Sequence, residues 1–177
     1  FKPDFVVQGG DMVQDTSLEA DKDKSNKGFK MLSKLDWPVY ELTGNYELKK
    51  LDVKFLKNIL GYKKLYFCID NANFRFIFLF PKRSHRTKKI KIDYLQLEWL
   101  KSKVKTNKKI ILFSHYSLVP IDTTGNFWFS ERPDLTYVQN YKAFLKIINN
   151  KNIKLAFNCH LHWNKKMTLN GVNYITV

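Results

Sequence analysis

Residues 110–115 read Ile-Ile-Leu-Phe-Ser-His. The apolar run shows no alternation with polar residues, so it predicts a strand covered on both faces, as in a parallel sheet. It stops abruptly at a serine and a histidine. The same form recurs at Ile153–Phe157, followed by Asn158-Cys159-His160. It also occurs upstream, at Asp4–Gln8 before Gly9-Gly10 and at Val39–Leu42 before Thr43-Gly44-Asn45. Between these strands lie stretches with helical spacing. Phe29, Leu32 and Leu35 form one, closed by Trp37-Pro38, and Leu51–Leu60 forms another, ended by Gly61. Two more are marked by Leu95, Trp99, Leu100 and Val104, and by Val138, Tyr141, Phe144, Leu145 and Ile148. Strands alternating with helices predict an α/β fold. Two hairpins complete the pattern. Leu65–Asp70 and Phe74–Phe80 flank Asn71-Ala72-Asn73, and Lys166–Leu169 and Val172–Val177 flank Asn170-Gly171, the dipeptide that best suits a two-residue turn. Thr16–Lys27 is polar with little periodicity, Pro81–Lys91 reads as a basic loop, and Tyr116–Leu135 reads as a long loop.

The 177 residues suit one domain spanning 1–177. A hydrophobic fraction of 44% supports a core and excludes disorder as the main state. No apolar run reaches the ~18 residues of a membrane helix. The opening Phe-Lys-Pro-Asp is neither a signal peptide nor a start, and the last strand stops without a turn, so both ends are expected to be truncated. Two cysteines, Cys68 and Cys159, predict buried thiols rather than a bridge. This favours a cytoplasmic compartment, while the missing start leaves export open. The net charge of +15 suggests an anionic partner, nucleic acid among them. Arginine, the residue that specific phosphate recognition recruits, occurs only at Arg75, Arg83, Arg86 and Arg132. That shortage favours compositional drift toward lysine over a dedicated nucleic-acid face.

The residues able to do chemistry cluster at the strand ends, where sites of open α/β sheets form. Asp11 follows the first strand, Asn45 the second, His115 the third, and His160 and His162 the fourth. Asp, Asn and His are ligands for borderline divalent metals such as Mn, Fe or Zn. Taken singly, Gly10-Asp11 and Gly44-Asn45 read more often as turns and a lone histidine as a structural residue, while His160-Leu161-His162 reads as readily as a metal pair. Their conjunction in this order points to a metal site.

Gly10-Asp11, Gly44-Asn45-Tyr46-Glu47, Ser114-His115 and Cys159-His160-Leu161-His162 together resemble the calcineurin-like metallophosphoesterases, whose pattern is D-x-H, G-D, G-N-H-[DE], H, G-H-x-H. Gln96-Leu97-Glu98-Trp99-Leu100 is similar to a helix preceding the histidine strand in many members. Gly10-Asp11-Met12-Val13-Gln14 resembles the bacterial cyclic-nucleotide phosphodiesterase-like branch. The resemblance implies a two-sheet β-sandwich flanked by helices, with its first strand missing here. It implies hydrolysis of phosphomonoesters or phosphodiesters by a hydroxide bridging two divalent ions (Mn, Fe or Zn), with a small phosphate ester as substrate. Asp11 would bridge the ions, Asn45, His115 and His160 would bind the second, and His162 the first.

Three departures stand out. D-x-H is absent and is expected upstream of Phe1. Tyr46 occupies the position of the family's catalytic histidine. A phenol is a weaker acid than imidazolium at neutral pH, which predicts a slowed enzyme or a decayed scaffold of the same fold. Cys159 replaces a glycine and is expected to tolerate its conformation under strain, a structural reading favoured over a soft thiolate ligand. The basic stretch Lys82-Arg83-Ser84-His85-Arg86 with Lys88-Lys89 reads as a solvated loop, with a nucleic-acid-binding module as its alternative. Phe127-Trp128-Phe129 reads either as a substrate-side wall or as a core anchor.

Overall fold

The computed structural model describes residues 2–177, and Phe1 lies outside it. The chain divides into two compact units, Phe1–Leu65 and Tyr66–Val177.

In the first unit, β1 (Val6–Gln8) pairs in parallel with β2 (Val39–Glu41), Val7 opposite Tyr40. Between them runs α1 (Leu18–Leu32), a 15-residue helix where the sequence reads as polar and aperiodic through Lys27. Capping explains the difference. The Ser17 hydroxyl accepts from the Ala20 amide (3.1 Å), and Asp21 reaches back to the amide and hydroxyl of Thr16. The inward positions are the polar Asp21 and Ser25, so a hydrophobic period could not reveal the helix. Two further helices follow, the single turn α2 (Glu47–Lys50) and α3 (Val53–Leu60). Asp52 caps α3 and Gly61 ends it at φ 67°, a left-handed conformation that glycine adopts without a Cβ penalty.

Glu41 sits at the end of β2, 7% exposed, with Oε1 lacking a hydrogen-bond partner. Burial, then the charge of Glu47, pushes its carboxyl up from 4.5 to about 7. A carboxyl raised on folding holds its proton more tightly folded than unfolded. Its stabilising contribution is therefore complete below about pH 4.5 and lost as pH rises through about 7. Glu41→Gln is expected to remove about 1–2 kcal/mol of the stability difference between pH 5 and pH 8, allowing for solvent screening. Urea unfolding at both pH values measures it, and an undiminished difference would refute it.

The second unit holds a six-stranded sheet in the order β3-β4-β7-β8-β10-β9. The strands β4 (Phe74–Leu79), β7 (Lys109–Ser114), β8 (Ile153–Asn158) and β10 (Val172–Thr176) are parallel. The edges β3 (Phe67–Asn71) and β9 (Lys165–Leu169) run antiparallel. On one face, Ile77, Leu79, Ile110, Leu112, Ala156 and Tyr174 join a buried core with Leu100 and Val104 from α4 (Tyr94–Lys103) and its C-cap, and Phe144 and Ile148 from α5 (Tyr141–Ile148). Complete burial of each large apolar side chain contributes about 1.5–3 kcal/mol. On the other face, Phe67, Phe78, Phe113 and Phe157 stand opposite one another in register. Their rings stack at centroid spacings of 4.5, 5.0 and 5.4 Å. The mixed α/β class, with a large sheet flanked by helices, is as the sequence predicts.

Pro81–Lys91 is not a plain loop. It contains a two-stranded hairpin, β5 (Lys82–Arg83) against β6 (Ile90–Lys91). Its strands are too short for alternation to register. Cys68 and Cys159 are both half-buried and not joined in a disulfide, in keeping with the thiol reading. No helix among the described residues is long and apolar enough to cross a membrane.

Candidate metal centre

In the first unit, the chain leaves β1 through Gly9-Gly10 and places Asp11 at φ 57°. A non-glycine residue with left-handed backbone is uncommon and costs free energy, so the surroundings must hold it there. Gln8 clamps the turn from one side. Its Oε1 accepts from the Gly10 amide (2.8 Å), and its Nε2 donates to the Gly10 carbonyl (3.1 Å). Glu47 holds the other side. Its Oε2 accepts from the amides of Asp11 (3.0 Å) and Gly44 (2.9 Å), and its Oε1 from that of Met12. Burial and then the nearby Asp11 charge raise the Glu47 carboxyl above its usual range, and these backbone donors oppose the rise.

The Asp11 carboxylate is oriented in turn, its Oδ1 accepting from the Tyr46 amide at 2.8 Å. Gly44 allows this approach. A Cβ there would lie 2.2 Å from Asp11 Oδ1 and 2.6 Å from its amide nitrogen. Asn45 is buried, and Tyr46 is half-buried with the Lys49 ammonium 4.5 Å from its ring centroid. The first unit thus assembles Asp11, Asn45 and Tyr46 on one pair of neighbouring loops. In the sequence Glu47 is one member of the Gly44–Glu47 motif, with no role of its own, and Gln8 is merely the end of an apolar strand. Only the closure of β1 against β2 puts their side chains on backbone amides 35 and 36 residues away and on the adjoining turn.

In the second unit, the carboxyl ends of β7 and β8 are in register, Ser114 opposite Asn158. His115 follows one, Cys159-His160 the other, and the Cys159 amide donates to the His115 carbonyl (3.0 Å). The two imidazoles are buried, with centroids 5.1 Å apart and a ligand nitrogen of each within 4.8 Å of the other. His160 Nε2 lies 3.1 Å from the Leu135 carbonyl oxygen. A carbonyl only accepts, so this nitrogen carries the proton and the neutral ring keeps its lone pair on Nδ1. Such a partner fixes tautomer and ring angle in metal-binding histidines. Tyr116 (4.6 Å) and Phe129 (5.0 Å) pack against the same ring.

His160 and His162 have φ of 50° and 48°, whereas Cys159 is not left-handed, so the strain expected at the cysteine falls on the histidines. His162 is exposed and does not join the His115–His160 group. Asn126 braces this turn, its Nδ2 donating to the Leu161 carbonyl (2.9 Å) and its Oδ1 accepting from the amides of Trp128 and Phe129. Phe129 therefore serves as an anchor, while Phe127 and Trp128 project, 86% and 65% exposed.

A family model described as calcineurin-like phosphoesterase matches residues 1–164. The chain belongs to the calcineurin-like phosphoesterase family. No curated protein sequence matches it significantly. Among solved structures it is similar to a dimetal phosphatase from Danio rerio, with TM-score 0.73 at 16% identity, covering 98% of this chain and 71% of that one. It is also similar to a phosphopantetheinyl hydrolase from Mycobacterium tuberculosis, with TM-score 0.60 at 12% identity, covering 99% and 79%. A third is GAP50, described as the anchor in the inner membrane complex of Plasmodium, with TM-score 0.57 at 15% identity, covering 97% and 60%. At these identities the likeness is one of fold, and it selects no branch of the family. Family membership makes this in general terms a metal-dependent phosphoesterase. Each unit by itself presents donors of a kind suited to divalent ions of the borderline class, an oriented carboxylate in the first and two buried imidazoles in the second.

Proposed function

We propose that residues 1–177 form one phosphoesterase domain that hydrolyses small phosphomonoesters or phosphodiesters. Asp11, Asn45, His115, His160 and His162 serve as ligands to two divalent ions, Mn, Fe or Zn. The buried His115–His160 pair at the ends of adjacent parallel strands carries this reading. When bound, such ions lower the pKa of a shared water and offset charge on the phosphoryl oxygens.

The chain's own residues supply orientation. Leu135 fixes the His160 tautomer through its carbonyl, the Tyr46 amide aims the Asp11 carboxylate, and Glu47 and Gln8 hold the Asp11 turn in its left-handed form. Preorganisation of this kind spares the site from rearranging as the reaction proceeds. The test is hydrolysis of bis-p-nitrophenyl phosphate, which should need added Mn and cease on chelation. Turnover unaffected by chelation would count against the reading.

Tyr46 stands where the family has its catalytic histidine, and it limits the rate. Its hydroxyl donates a hydrogen bond to a leaving oxygen but gives up a proton less readily than imidazolium at pH 7. Tyr46→His is therefore expected to raise kcat by about 10-fold or more, with the roughly 10²–10⁴-fold that general acid catalysis supplies as the upper bound. The gain should grow for poor leaving groups, and a flat response across a leaving-group series would argue against it. The same tyrosine supports a second reading, a scaffold of this fold with a decayed site. A folded chain that binds Mn but shows no turnover before or after Tyr46→His would favour it.

A further inference from the structure

Within the second unit, the hairpin β5–β6 and the start of α4 enclose an open groove of roughly 680 Å³, lined by Lys82, Arg83, His85, Lys89, Lys91 and Tyr94, among others. The geometry points to this groove as a binding site for a single-stranded nucleic acid, beyond phosphoester hydrolysis. Charge is the first argument. Lys82, Arg83, Arg86, Lys88, Lys89 and Lys91 fall within ten residues, and among the described residues none of them forms an ion pair. The acid lining the groove, Asp93, is engaged as the α4 N-cap, accepting from the Gln96 amide at 2.8 Å.

Arginine placement is the second argument. Lysine enrichment follows from composition, but two of the four arginines lie in this hairpin. Arg75, by contrast, is committed to Asp70 through two bonds of 2.7 and 2.8 Å. Arg83 is half-buried, its buried Nε has no hydrogen-bond partner, and among the described residues its guanidinium forms no ion pair. A guanidinium with spare donors suits phosphate oxygens better than solvent-exposed ammonium groups do.

The third argument is rigidity. The Ser84 amide donates to the Lys89 carbonyl and the Lys88 amide to the Ser84 carbonyl, both at 2.9 Å. The Asn140 amide group exchanges two bonds with the backbone of Ile92 (3.1 and 2.8 Å), and Gln139 bonds the backbone of Ile90. The cations are thus carried on a braced platform. Charged groups so held lose little freedom on binding.

The apolar neighbour identifies the ligand. Tyr94 is 73% exposed at the groove's edge, and an exposed ring beside tracking positive charge is the arrangement that stacks an unpaired base. A bilayer would call for a convex apolar face, whereas this surface is concave and also lined by Ser84, Thr87 and Asn140. Leu79, which ends β4 ahead of the hairpin, is in register with Ser114, so the groove's strand leaves the sheet at the edge that carries His115.

The experiment is fluorescence anisotropy of a labelled 12-nucleotide oligouridine with the metal-free chain at several salt concentrations, beside co-sedimentation with phosphatidylserine vesicles. Because no turnover is read, failure here is distinct from failure of the phosphoesterase reading. Arg83→Gln with Arg86→Gln should raise Kd at least tenfold and flatten the salt slope by about 1.4 units, ~0.7 for each charge removed. Tyr94→Ala should raise Kd about fivefold or more with the salt slope unchanged. Lys24→Gln with Lys30→Gln, an equal charge loss on the exposed face of α1, should change Kd less than twofold. Equal losses in both charge variants would mean nonspecific attraction to a +15 chain and would overturn the proposal. Binding to vesicles without binding to oligouridine would overturn it as well.

Discussion

Replacing His115 by Ala is expected to abolish Mn-dependent hydrolysis of bis-p-nitrophenyl phosphate, with a loss above about 100-fold. Residues one bond further from a metal already cost about 10–100-fold in affinity or activity when removed, and a direct ligand should exceed them. His115 is 2% exposed, at the end of a central parallel strand, with its ring 5.1 Å from that of His160. Deleting it leaves one imidazole where two converged. The same substitution opens a cavity beside Tyr116, so lost activity alone would not separate chemistry from unfolding. Isothermal titration with Mn and near-ultraviolet circular dichroism make the distinction. The expected result is a folded variant with weakened Mn binding, and a folded variant with parental Mn affinity would remove His115 from the ligand set.

Glu47→Ala should be the most damaging single change in the first unit. It deletes the acceptor of three backbone amides, those of Asp11, Met12 and Gly44. A buried donor left without a partner costs about 1–3 kcal/mol. Even with partial rescue by water, a loss of about 3 kcal/mol or more is expected, a large fraction of a domain's stability. Glu47→Gln should recover only part, because its amide NH₂ would face the same donors. Hydrogen exchange resolves the effect by residue. The amides of Asp11, Met12 and Gly44 should lose protection while the sheet of the second unit keeps its own. Unchanged exchange at those amides would falsify the role assigned to Glu47.

Much of this was legible before any coordinates. The parallel strands announced themselves because both faces are buried, so apolar residues run without interruption, as at Ile110–Phe113. The Asn71–Asn73 and Asn170-Gly171 turns had the residues that tight reversals require. The polar residues at strand ends were legible because a short Gly-Asp or Gly-Asn step after an apolar run is local information. Other features were not. The first half of α1 was hidden because its inward face is Asp21 and Ser25, and β5–β6 because two-residue strands carry no period. The roles of Gln8 and Glu47 were invisible because a side chain bonding a backbone amide leaves no trace in composition. His162, read with His160 as one motif serving two ions, is exposed where its neighbour is buried, a difference of one loop turn that a motif cannot express.

The amino-acid sequence by itself determined the class of fold, the order of its longer apolar strands and the helices between them, and which residue types sit where chemistry could occur, since each follows from local burial and turn preference. Only the tertiary structure decided which side chains meet. It set the tautomer of His160, the left-handed backbone of Asp11 and the bracing of a cationic hairpin by Gln139 and Asn140. These depend on distances between residues far apart in the chain. Such distances are set by the packing of whole elements, which no local pattern records.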